Sequence, residues 1–177
     1  MVVEAYAQVE LSSYFHLIDL VSRDAKGKIV GSPNYKGLLH AEDASPKQAF
    51  GVYRSMVYLL AGKTPVAEGA GEWAPIAGKD TSVYGFASGS STNVPTMWAY
   101  WKKGAFGGEG VSLNQSAPTV EVKLGHGVQS DELVLFDPLN QQVNAFSTGR
   151  ASLQLPVADY PMFVVKRSIL ESFGAIV

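Results

Sequence analysis

A change of hydrophobic period near residue 63 divides the chain into two textures. Before it, the strongest pattern is a helix from Pro46 to about Ala61. Ala49, Tyr53, Met56 and Leu60 repeat at helical spacing, and Phe50, Val57 and Ala61 broaden the stripe. Its ends are specified chemically: Ser45 as N-cap, Pro46 at the first helical position, Gln48 closing a Ser-x-x-Gln capping box, and Gly62 as a left-handed C-cap. Only Lys47, Gln48, Arg54 and Ser55 are plainly polar, so more than half of its girth should be buried. Upstream, Val2 to Gln8 reads as the end of a helix. The apolar run through Val9 to Val21, with Leu11, Tyr14, Phe15, Leu17, Ile18 and Leu20, reads as a strand covered on both faces. Ser22 to Asn34 is expected to be an exposed loop, and Tyr35 to Leu39 to return to the core.

After Gly62 the period falls to two. Strands are expected at Ser82 to Ala87, Thr96 to Lys102, Thr119 to Leu124, Glu132 to Phe136, Gln142 to Phe146, Ala151 to Leu155 and Tyr160 to Lys166. Val120, Val122 and Leu124 share one face of their strand while Glu121 and Lys123 share the other, the signature of a half-solvated antiparallel strand. Asp137 to Asn140 and Ser147 to Arg150 supply hairpin connections. Short strands at near-regular spacing predict a mainly β fold, an antiparallel sandwich with an N-terminal strand-helix element packed against it.

Composition narrows the function classes. With 177 residues the chain is long enough to bury a core without staples, and without cysteine it has none. Disulfides, thiolate metal sites and thiol catalysis are excluded. Net charge is -2 with no block of like charges, which argues against nucleic acid or a polybasic membrane surface as partner. No apolar stretch approaches the roughly 20 residues of a membrane helix. No signal peptide is visible, since Glu4 breaks the opening apolar run and the first basic residue is Arg23, so the compartment stays open. Charged residues make up only 17% of the chain, and Gly, Ser, Thr, Asn and Tyr supply the polarity, a composition common among proteins that handle uncharged polymers.

Motif chemistry is sparse. His16, His40 and His126 are too scattered for a metal site, and no nucleotide or other cofactor motif occurs; Gly104 to Gly110 is glycine-rich but reads as a hairpin loop. Trp98 and Tyr100 fall on one face of their strand, Met97, Ala99 and Trp101 on the other. The first pair is either a sugar-stacking platform or core. A free-standing carbohydrate-binding module would use Trp98, Tyr100 or Trp73 in this way. Asp137 and Asp159 are candidate carboxylate catalysts or, more simply, turn residues.

Three stretches in order, Tyr14-Phe15-His16-Leu17-Ile18-Asp19, Tyr35-Lys36-Gly37-Leu38-Leu39 and Ser45-Pro46-Lys47-Gln48-Ala49-Phe50, resemble the last strand and helix of (β/α)8-barrel glycoside hydrolases of the xylosidase, iduronidase and cellulase type. Leu133 to Val143 resembles the "vDpltGeV" hairpin of the sandwich that follows such barrels, and Leu155 to Val164 its closing strand. The resemblance implies a remnant of the barrel's last unit over residues 1–62 and a β-sandwich domain over 63–177. It further implies an accessory, structural or carbohydrate-contacting role, with Tyr14, His16 and Asp19 on the strand that would line a substrate pocket. A barrel takes roughly 200 to 250 residues, and about 60 precede the sandwich, so neither family catalytic carboxylate has a counterpart. The paired-carboxylate mechanism needs both groups about 5 to 10 Å apart across the glycosidic bond. The implied partners are carbohydrate and either a second copy, paired through residues 1–62, or a missing barrel domain. A small independent glycosidase remains the other alternative.

Overall fold

The computed structural model describes residues 7, 16–66, 81–88, 96–102, 119–123, 132–146, 152–158 and 160–174. Apart from Ala7, expectations for Val2 to Phe15, Trp73, Gly104 to Gly110, His126, Ser147 to Arg150 and Asp159 lie outside them.

The fold is mainly β, in antiparallel sheets, with two helices. A hairpin of β1 (Leu20–Arg23) and β2 (Ile29–Asn34) opens the described chain, followed by α1 (Gln48–Leu60). Then come β3 (Lys63–Val66), β4 (Thr81–Ser88), β5 (Met97–Lys102), β6 (Thr119–Lys123), β7 (Leu133–Asp137), β8 (Gln142–Ala145), β9 (Ser152–Pro156) and β10 (Met162–Lys166), and α2 (Arg167–Phe173) closes it. Six strands form one sheet in the order β3-β4-β5-β10-β7-β8, and β6 pairs with β9 in a second. The seven strands expected after residue 80 are all present, within two residues of their expected ends.

Both faces of the large sheet are apolar because its central strands alternate one large apolar residue with another. Trp98, Tyr100, Leu133, Leu135, Met162 and Val164 face one way and pack with Leu153 and Leu155 of β9. Met97, Ala99, Val134, Phe136, Phe163 and Val165 face the other and pack with Leu59 of α1 and Leu170 of α2. The helices are stitched together by Tyr58, which stacks on Phe173 at 4.4 Å and shares a 2.6 Å hydrogen bond with Ser172. Pro65 stands in β3, at one edge of the sheet.

Four expectations about residues 17–62 are corrected. The stretch from Ser22 to Asn34 is a hairpin, not a loop: Asp24 Oδ1 accepts the N–H groups of Lys26 and Lys28, and Gly27 takes the left-handed φ of 78° that closes the turn. The apolar run is not covered on both faces, since Leu17 is 62% and Leu20 50% exposed. The capping box does not form. Pro46 bridges Leu39, Ser45 C=O accepts the His40 N–H, and α1 starts after Lys47 with no side-chain cap. The buried stripe of α1 runs through Ser55 and Leu59 rather than Ala49 and Tyr53, which rotates the helix so that Gly51 and Ser55 meet the turn after β7.

Candidate functional site

The three N-terminal stretches quoted above converge on one carboxylate. Leu17 C=O accepts the N–H groups of Leu38 and Leu39, Asp19 N–H donates to Leu39 C=O, and Ile18 forms a parallel bridge with Leu39. This pins the end of the first stretch against the second, and Asp19 is left 4% exposed. Its Oδ1 accepts the Gly37 N–H at 2.9 Å and Lys47 Nζ at 2.6 Å, and Lys47 Nζ also reaches Tyr35 C=O at 3.0 Å. Gly37 is required by this approach: a Cβ there would lie 2.3 Å from the Asp19 backbone nitrogen. Asp19 Oδ2 is buried without a partner.

The hydrogen bond from Lys47 holds the Asp19 carboxyl below its usual range, against burial, which pushes it up; Gly37 N–H and the charges of Lys47 and His40 act with the first effect. A depressed folded-state pKa means the ionised form is the one stabilised. The contribution is therefore complete above the ordinary aspartate pKa of 3.8 and disappears only as pH falls through a lower value. Backbone hydrogen exchange over 17–39, corrected for its intrinsic pH dependence, is expected to show the same protection at pH 4.5 as at pH 7. In Asp19→Asn the same amides are expected to be less protected at both pH values, with no acid step.

A second carboxylate, Asp137, is wholly buried at the end of β7. Oδ1 accepts the N–H groups of Leu139 and Asn140, and Oδ2 accepts Asn140 Nδ2 and the Tyr160 hydroxyl, all between 2.8 and 3.1 Å. This is a turn residue with a full set of donors. General acid–base work needs a carboxyl within reach of a substrate proton, and Asp19 and Asp137 are both inside the protein and bonded to it.

Of the residues singled out from sequence, Tyr14 lies outside the described residues, and His16 is half-buried with a left-handed φ of 75° three residues before Asp19. Trp98 and Tyr100 are elsewhere, in the sheet core, 3% and 2% exposed. Stacking on a sugar needs an open ring face; neither has one, so the sandwich core claims both. Tyr100 donates its hydroxyl to Pro156 C=O at 2.9 Å, and burial, with Asp137 and Tyr160 nearby, pushes its pKa far up. Lys47 was legible as the lysine of the Pro-Lys helix start, and Gly37 as the glycine of the second stretch, but their meeting at Asp19 follows only from the parallel bridge. Among the described residues no group of three or more His, Cys, Asp or Glu is placed to hold a metal ion.

No protein-family model matches the chain, and no curated protein sequence matches it. Among solved structures, a family 39 glycoside hydrolase from the gut symbiont Bacteroides cellulosilyticus WH2 superposes with a TM-score of 0.50 at 17% sequence identity, over 76% of this chain and 22% of that one. The fold is similar to one part of a glycoside hydrolase. The chain spans about a fifth of that enzyme's length, so the likeness is one of architecture: antiparallel sheets with packed helices, as described above.

Proposed function

We propose that the chain is the accessory C-terminal β-sandwich region of a glycoside hydrolase, structural or sugar-contacting, with no catalysis of its own. The observation that carries this reading, beside the fold likeness, is where apolar surface is left bare. Among the described residues every exposed large apolar side chain except Val57 lies between residues 17 and 35: Leu17, Ile18, Leu20, Val30 and Tyr35. Such a concentration favours a surface that another protein covers, and it begins with Leu17 and Ile18 on the stretch that resembles a barrel's last strand and continues over the hairpin that follows. In this reading Tyr14 and His16 border the substrate side, and Asp19 fixes the strand end. Trp98 and Tyr100 belong to the core.

Two measurements test the reading. Release of nitrophenol from a panel of aryl glycosides is expected to be absent; a turnover abolished by Asp19→Asn would establish an independent glycosidase instead. Light scattering of the isolated chain is expected to show mass rising with concentration and falling back in Leu20→Ser. A strict monomer at all concentrations would remove the argument from the bare face.

A further inference from the structure

Helix α1 is held in two different ways along its length. Its C-terminal half enters the core through Leu59, flanked by Met56, Tyr58 and Leu60. The stretch from Gln48 to Ser55 is tied by polar groups at both of its ends to the turn between β7 and β8. Gln48 Nε2 donates to Leu139 C=O at 2.9 Å. Gln141 Nε2 donates to Ser55 Oγ at 3.1 Å and to Pro138 C=O, and Ser55 Oγ donates in turn to Gly51 C=O at 2.9 Å. The Gln141 side chain also lies over Gly51, where a Cβ would meet its amide at an ordinary contact distance of 3.6 Å.

Gln141 adopts a left-handed φ of 54°. A glutamine there bears a steric cost that glycine would not, and its side chain makes the contacts with α1 that a glycine could not. The turn is itself fixed from the sandwich side by Asp137, which accepts from Tyr160, Leu139 and Asn140. Directly before the helix, next to Gln48, Lys47 binds Asp19 Oδ1 and Tyr35 C=O, while its N–H donates to Leu38 C=O. Polar ties run from 16–40 to the segment that leads into α1: Arg23 reaches Ala41 C=O, His40 and Leu38 pair with Ser45 and Lys47, and Asp19 holds Lys47 Nζ.

The geometry points to Gln141 as a positioning residue: through Ser55 and the first half of α1 it sets where Lys47, and hence the Asp19 strand and the hairpin, stand relative to the sandwich. The sandwich is then a mount that orients the bare 17–35 face, and not only a cap beneath it. The mount follows from the bonds alone; its use in orienting an enzyme's strand rests on the glycoside-hydrolase reading, which the aryl-glycoside and light-scattering measurements test separately.

Hydrogen exchange on the full chain decides the matter. Gln141→Gly keeps the left-handed turn and removes the ties to Ser55. Amides of 48–53 and 17–39 are expected to exchange about five- to tenfold faster, the loss of roughly one net hydrogen bond, while 133–137 and 162–166 stay at their original rates. Ser55→Ala is expected to give the same regional pattern without touching the turn, and serves if the first variant folds poorly. Lys47→Met should free 17–39 alone, and the Gln141→Gly/Lys47→Met double variant should free 17–39 no further than the larger single change, because the two act in series. Unchanged exchange over 17–39 in Gln141→Gly, a uniform rise through the whole chain, or additive effects in the double variant would each overturn the proposal.

Discussion

Phe163→Ala is expected to destabilise the protein by about 3–5 kcal/mol, the cost of a large cavity in a packed core, and to lower the thermal midpoint by roughly 10 °C for a chain of this size. Phe163 is fully buried in β10, the strand that β5 and β7 flank on either side. Its ring packs in the cluster that joins the sheet to both helices. Truncation therefore empties the one layer shared by β5, β7, α1 and α2. The same truncation at Leu20, half exposed on the hairpin, should move the midpoint little. Urea denaturation of the two variants side by side checks the contrast; equal losses would mean that the cluster around Phe163 is not the stability centre.

Asp137→Asn is expected to cost on the order of 3 kcal/mol although it changes almost no volume. Two main-chain donors, the Asn140 side-chain amide and the Tyr160 hydroxyl all point at this carboxylate. An asparagine can offer its carbonyl oxygen to only one side of that set. Its own amide then faces a donor on the other side, and the buried donor goes unpaired. Tyr160→Phe removes a single bond and should cost about 1 kcal/mol. If Asp137→Asn proved as mild as Tyr160→Phe, the turn would owe its shape to the chain and not to the carboxylate. Exchange rates over 138–146 would tell the two apart.

The strands were legible because alternation is a local signal. In Met162-Phe163-Val164-Val165 or Met97-Trp98-Ala99-Tyr100 the residue types alone place a strand, and the structure assigns the two sets to the two faces of one sheet. That both faces would be covered was less legible, because Trp98 and Tyr100 could have looked outward over a binding surface until β9 was seen to lie across them. Ser45-Pro46-x-Gln48 satisfies every local rule for a helix start, yet the bridge between Pro46 and Leu39 draws that segment into extended pairing and sends the Gln48 amide to Leu139. Lys26-Gly27-Lys28 and Ser32-Pro33-Asn34 made residues 22–34 look like a loop, whereas they belong to a bulged hairpin turned by Asp24. At the candidate site Asp19 was visible as a strand-end carboxylate. Its tie to Lys47, 28 residues away, depends on a parallel pairing that no local pattern announces.

The two edges of the large sheet bear on how copies of this chain could gather. At one edge Pro65 interrupts the row of amide donors on β3, and at the other β8 is four residues long, with Gln142 and Asn144 turned to water. Neither invites another strand to extend the ladder. Cross-strand fibre growth by extension of the large sheet is therefore without a template at either edge, and association of copies falls to the bare residues of 17–35.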